Sequence, residues 1–96
     1  MLVAVDYRFR SGTDPALALK RFLGWTPPSG YEIRHHWSRA DGMGGILIVE
    51  SGSAAVMLEA SAPYSDLLDI DFIPLVDIVE AVPILQNAMV WRDSVS

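Results

Sequence analysis

Hydrophobic and polar residues alternate along the first ten positions, Met1 to Arg10. An alternation of period two, with β-branched and aromatic residues on one side, predicts a strand with one buried face. The same pattern predicts strands over Tyr31–Ser38 and Leu67–Val76. The continuous apolar run Ile46–Val49 instead predicts a central strand that is buried on both faces.

Two stretches carry apolar residues at helical spacing. The first opens at Asp14-Pro15, where the aspartate can accept hydrogen bonds from free backbone amides and proline suits the first helical position. Gly24 is expected to end this helix. Ser53 is the expected cap of the second helix, and Pro63 marks the point where that helix ends or bends.

The last quarter of the chain predicts a third helix. Asp77 and Glu80 form a capping-box pattern at its start, with aspartate in place of serine or threonine. Pro83 is expected to interrupt the helix after one short turn, and the helix then restarts at this proline. Residues 90–96 are expected to form a loosely held tail.

These elements follow the order β-α-β-β-α-β with an extra C-terminal helix. We therefore expect a single domain over residues 1–96, of the α+β class, with a ferredoxin-like sheet of four mostly antiparallel strands and both helices on one face. Alternation assigns one set of residues to the helix-covered face: Val3, Val5, Tyr7, Phe9, Ile33, His35, Trp37, Ile70 and Phe72. The opposite face receives Asp6, Arg8, Arg34, His36, Asp69 and Asp71.

Composition narrows the range of partners. The net charge is −5 and the basic residues are few and scattered, so neither nucleic acid nor an anionic membrane surface is an expected partner. The apolar fraction of 51% is high for a short soluble domain, and an oligomer interface would cover the excess. The chain has no cysteine and no charge-free N-terminal segment, which together indicate a cytoplasmic protein.

Three segments resemble an uncharacterised bacterial domain family, namely HHWSRADGMGG at 35–45, YSDLLDIDFIPLVD at 64–77 and DIVEAVPILQNA at 77–88. We place this family in the dimeric α+β barrel superfamily. The resemblance implies a homodimer formed sheet against sheet, with a small-molecule pocket between the sheet and the helices of each copy. It implies no particular reaction. In the family a histidine often follows the tryptophan, whereas this chain has Ser38.

The candidate ligand-binding residues are Tyr7, His35 and Trp37, which alternation assigns to the helix-covered face. His35 is the one candidate for acid–base catalysis there, because histidine titrates near neutral pH. Ordinary packing is the favoured alternative explanation for all three residues. His35 and His36 are adjacent on a strand and point to opposite faces, so no metal site is expected.

Two other polar groups have simpler structural explanations. Asp69 and Asp71 share a strand face, but cross-strand pairing with Arg8 or Arg34 accounts for them better than paired-carboxylate catalysis. The glycine-rich segment 41–45 lacks the lysine and the helix start of a phosphate-binding loop and predicts a hairpin turn.

Two functions fit the sequence. The first is a homodimeric small-molecule-binding domain, with or without cofactor-independent catalysis on a hydrophobic or aromatic metabolite. The second is a non-catalytic module for dimerisation or protein interaction. An open cavity between the sheet and the helices would favour the first function, and a cavity filled by Phe22, Met57 and Trp37 would favour the second.

Overall fold

The computed structural model describes residues 1–95 and has the predicted α+β class, with a four-stranded antiparallel sheet and three helices. A short 3₁₀ turn, Ala62–Tyr64, follows the second helix. The elements are β1 Leu2–Phe9, α1 Pro15–Leu23, β2 Tyr31–Ser38, β3 Gly44–Ser51, α2 Ala54–Ser61, β4 Leu68–Pro74 and α3 Ile78–Val95.

The strand order across the sheet is β2-β3-β1-β4. β3 is central, as its apolar sequence predicts, but only one of its faces is buried. Val49 on that face is fully buried against Val3 of β1, whereas Ile46 on the other face is 42% exposed. The single chain therefore leaves one whole face of the sheet open.

The predicted N-caps of the first two helices are present. The Asp14 carboxylate accepts a hydrogen bond from the Ala16 amide at 3.0 Å, and the Ser53 hydroxyl accepts one from the Val56 amide at 3.2 Å. Met57 and Ala60 of α2 pack into the core formed by β1 and β3. Ala18 is the one buried residue of α1, so this helix lies over the sheet with little direct packing beneath it.

The second strand contains a β-bulge that the sequence pattern did not reveal. Ile33 pairs with Val49 and His35 pairs with the next residue of β3, Ile48, so Arg34 is an additional residue without its own partner. Beyond the bulge the alternation is reversed. His36 therefore faces the helices, while His35 and Trp37 lie on the open face, which corrects the predicted positions of all three residues.

Deletion of Arg34 is expected to change the free energy of unfolding by less than about 1 kcal/mol, because the remaining residues keep their present partners in a regular ladder. Deletion of Asp6 is the control. It lies in the central strand β1, and its loss would turn the following core residues to the wrong face and prevent folding. Urea denaturation followed by circular dichroism measures the free energy of unfolding of both deletion variants. Equal damage from the two deletions would contradict the assignment of Arg34 as the additional residue.

The third helix departs most from expectation. It is continuous from Ile78 to Val95, so the predicted interruption at Pro83 is wrong. Residues 90–95 of the predicted tail are helical and exposed. The proline removes one backbone hydrogen bond without ending the helix. Residue 96 lies outside the described residues. No residue of α3 is buried.

None of the helices in residues 1–95 has the length and hydropathy of a membrane span.

Candidate functional site

A cavity of about 400 Å³ lies between the sheet and the helices α1 and α2. Its sheet side includes Val5, Tyr7 and Leu47, and its helix side includes Ala18 and Ala60. Phe22 and Leu19 form part of the α1 side and are 38% and 58% exposed. The cavity is therefore open to solvent beside α1, and its volume lies in the range of small-molecule sites.

Tyr7 and His36 form the one hydrogen-bonded pair of side chains in this cavity wall, among the described residues. The Tyr7 hydroxyl lies 2.7 Å from His36 Nε2, and the two rings meet edge to face. Gly45, which pairs with Tyr7 across the sheet, makes this position possible. A Cβ atom at Gly45 would lie only 2.5 Å from the Tyr7 hydroxyl oxygen. The missing side chain thus leaves room for the tyrosine ring.

Aromatic rings continue from this pair along the cavity. The His36 ring contacts Phe22 edge to face at a centroid distance of 5.3 Å, and Phe22 contacts Trp25 at 6.3 Å. Trp25 in turn contacts Tyr64 at 5.4 Å and lies 6.3 Å from Tyr31. This connected series provides both flat apolar surface and hydroxyl groups, a combination suited to binding an aromatic molecule.

Burial favours the neutral forms of the titratable groups in the wall. Partial burial lowers the pKa of the His36 imidazole, which still has an exposed edge, and burial raises the pKa of the Tyr7 and Tyr31 hydroxyls. At neutral pH His36 therefore has one ring nitrogen that donates and one that accepts a hydrogen bond. Burial also raises the pKa of Tyr64, whose hydroxyl has no hydrogen-bond partner within residues 1–95.

The predicted site residues are divided between the two faces. Tyr7 lines the cavity, whereas His35 and Trp37 stack on each other on the open sheet face, with centroids 5.0 Å apart and planes 6° from parallel. His36 takes the cavity position that alternation assigned to His35. Sequence reasoning missed His36 because of the bulge, and it missed Trp25 because that residue follows α1 in a loop. The glycine opposite Tyr7 indicates where the tyrosine ring lies. This indication can be recognised only once the strand register is known.

The remaining polar candidates have structural roles. Asp41 accepts a hydrogen bond from the Met43 amide at 3.0 Å within the predicted hairpin turn, and Gly42 has a φ of 73° there. Asp69 lies opposite Arg8 in the sheet and forms an ion pair with Arg10 at 3.2 Å. Within residues 1–95, no three His, Cys, Asp or Glu side chains are grouped closely enough to hold a metal ion.

Comparison with known proteins gives one match. Neither the curated proteins nor the solved structures include a match to this chain. The sequence pattern of the family described as domain of unknown function DUF3303 matches residues 1–89. The match spans every strand, α1, α2 and most of α3. The chain therefore belongs to the DUF3303 family.

Proposed function

We propose that this protein binds a small hydrophobic or aromatic molecule in the cavity between its sheet and helices. The observation that carries the proposal is an open, largely apolar cavity of about 400 Å³ with the Tyr7–His36 pair in its wall. Tyr7 keeps the binding role that the sequence suggests. His36 replaces His35 as the candidate acid–base group, and Trp25 and Phe22 replace Trp37 as aromatic contacts.

The Tyr7–His36 pair supports proton transfer as well as binding. If the Tyr7 hydroxyl donates to Nε2 of neutral His36, the tyrosine oxygen can accept a hydrogen bond from a ligand hydroxyl. In the other tautomer His36 donates to Tyr7, and the tyrosine proton can be donated to a ligand carbonyl. The same two residues can thus give or take a proton without a cofactor, which is the catalytic form of the proposal.

The test is a titration with 2-naphthol, followed by amide shifts in two-dimensional ¹H–¹⁵N NMR. We expect a dissociation constant below about 1 mM and shifts at the cavity residues Ala18, Leu47 and Ala60. His36→Phe removes the hydrogen bond to Tyr7 and is expected to weaken binding about 5-fold. His35→Phe is the matched control and should leave the affinity unchanged. An equal effect of both variants, or shifts confined to the open sheet face, would overturn the assignment.

The second candidate function, an interaction module, is favoured by the apolar surface that the single chain leaves uncovered. Trp37, Ile46 and Ile73 on the open sheet face are 54%, 42% and 48% exposed. Most residues of α3 are apolar and none is buried. The radius of gyration is 17.2 Å, whereas a compact chain of this length has about 12.5 Å. Both functions can coexist, because the cavity and the open face lie on opposite sides of the sheet.

We propose a second copy of this chain as the partner on the open face, in a homodimer of ferredoxin-like subunits arranged sheet to sheet as in a dimeric α+β barrel. The strand order and the placement of α1 and α2 on one face support this fold. Three strands of eight residues and one of seven cover about 500 Å² of the open face. With α3 added, each copy approaches the ~800 Å² per partner of a stable interface. The face carries Asp6 and Asp71 beside Arg8, a mixture of charges that can pair across a two-fold axis.

Sedimentation velocity tests the dimer. Ile46→Lys places a charge at the centre of the open face and is expected to raise the dimer dissociation constant at least about 100-fold. Met43→Lys is the control, because Met43 is 52% exposed in the hairpin turn away from the strands. A wild-type monomer at 100 µM would contradict the dimer. A dimer that survives Ile46→Lys would place the interface elsewhere.

A further inference from the structure

The chemistry of the cavity wall restricts the charge of its ligand. Charged residues make up 20% of the chain, yet none of the residues that line the cavity in the described chain is Asp, Glu, Lys or Arg. Two arginines adjacent in sequence to lining residues are paired with carboxylates. Arg21 donates to Pro63 and Asp66, and Arg39 donates to Asp41.

The helix start next to the cavity offers no anion site either. Pro15 lines the cavity at the first position of α1 and has no N–H group. The next amide, that of Ala16, is already bonded to the Asp14 carboxylate at 3.0 Å. This carboxylate also offsets the positive end of the helix dipole. The neutral state that burial favours in His36 adds no compensating charge.

A charged group that lies against Tyr7 and His36, away from the opening beside α1, would lose water and gain no opposite charge, which is unfavourable for binding. An uncharged oxygen has partners in Tyr7 and His36, and a flat ring system has partners in Phe22 and Trp25. Resting on the proposed binding function, we infer that the ligand is an uncharged, planar aromatic compound that carries a hydroxyl or carbonyl oxygen, and that this cavity discriminates against both carboxylates and amines.

Three probes with the same ring system and different charge test this inference at pH 7.5, namely 2-naphthol, 2-naphthoate and (2-naphthyl)methylammonium. The readout is again the amide shifts at Ala18, Leu47 and Ala60. We expect both charged probes to bind at least about 20-fold more weakly than 2-naphthol. Binding of either charged probe within 3-fold of 2-naphthol would overturn the inference and leave the binding function intact. Failure of all three to shift these amides would overturn both.

A gain-of-function variant gives a second, independent test. Ser38 lies in the cavity wall beside the Tyr7–His36 pair and has an exposed side chain, so Ser38→Arg places a cation at the cavity without filling its centre. We expect this variant to bind 2-naphthoate at least about 5-fold more tightly than the wild type does, with no gain for the ammonium probe. Unchanged selectivity in a folded Ser38→Arg variant would show that charge does not control binding here.

Discussion

Gly44→Ala is expected to lower the free energy of unfolding by about 3 kcal/mol. Gly44 begins β3 and pairs with Arg8 of β1. A Cβ atom at this position would overlap the Tyr7 carbonyl oxygen and lie 3.0 Å from Arg8 Cα, both of which are backbone atoms of the neighbouring strand. Backbone in a paired central strand cannot move aside without breaking ladder hydrogen bonds, so the overlap is relieved only by disrupting the pairing.

Urea denaturation of the wild type and the variant measures this loss. Gly24→Ala is the matched control, because Gly24 has a φ of −92° and an added Cβ would meet its nearest atoms at 3.8 Å, which is ordinary contact. The control should be neutral or slightly stabilising, since alanine restricts the unfolded chain. If Gly44→Ala unfolds at the same urea concentration as Gly24→Ala, the close approach of β3 to β1 is wrong.

Ala18→Trp is expected to abolish binding of 2-naphthol, with at least a roughly 50-fold loss of affinity. Ala18 is the buried residue of α1 and lines the cavity. An indole at this position would occupy the space that the ligand needs. Because no side chain of the protein fills the cavity, which is open beside α1, the larger side chain should fit with a change in stability of less than about 1.5 kcal/mol.

Ala16→Trp is the control for this substitution. Ala16 is exposed on the same helix and does not line the cavity, so an indole there should leave the affinity unchanged. The two variants carry the same chemical change two positions apart, and NMR titration compares them directly. Retained 2-naphthol binding in a folded Ala18→Trp variant would exclude this cavity as the binding site.

Local signals in the sequence predict most of the fold. Period-two alternation, the caps at Asp14 and Ser53, and the glycine turn at 41–45 each arise from interactions between near neighbours, so the strands, the first two helices and the hairpin follow from them. The bulge at Arg34 depends on the register between β2 and β3, which involves residues far apart in sequence. For this reason the faces of His35 and His36 were exchanged in the sequence-based assignment.

The third helix shows a different limit of prediction from sequence. The proline rule predicts a break at Pro83. Proline removes the hydrogen bond of its own nitrogen and crowds the carbonyl of Val79, but the adjacent turns continue the helix around it. Apolar residues at helical spacing predict an inward face of this helix, formed by Ile78, Val82, Leu85 and Met89. All four are exposed, and further apolar residues lie on the other sides of the helix.

The Tyr7–His36 contact has a consequence for how this family diverges. Residue 45 must stay without a side chain for the Tyr7 ring to lie where it does, and His36 reaches that ring only because Arg34 is additional. Positions 7, 34, 36 and 45, which lie on three strands, are therefore structurally coupled. In relatives whose second strand is one residue shorter at the bulge, the histidine that faces the cavity should still align with position 36. Sequence alignments that place no gap at position 34 would then compare histidines from opposite faces of the sheet.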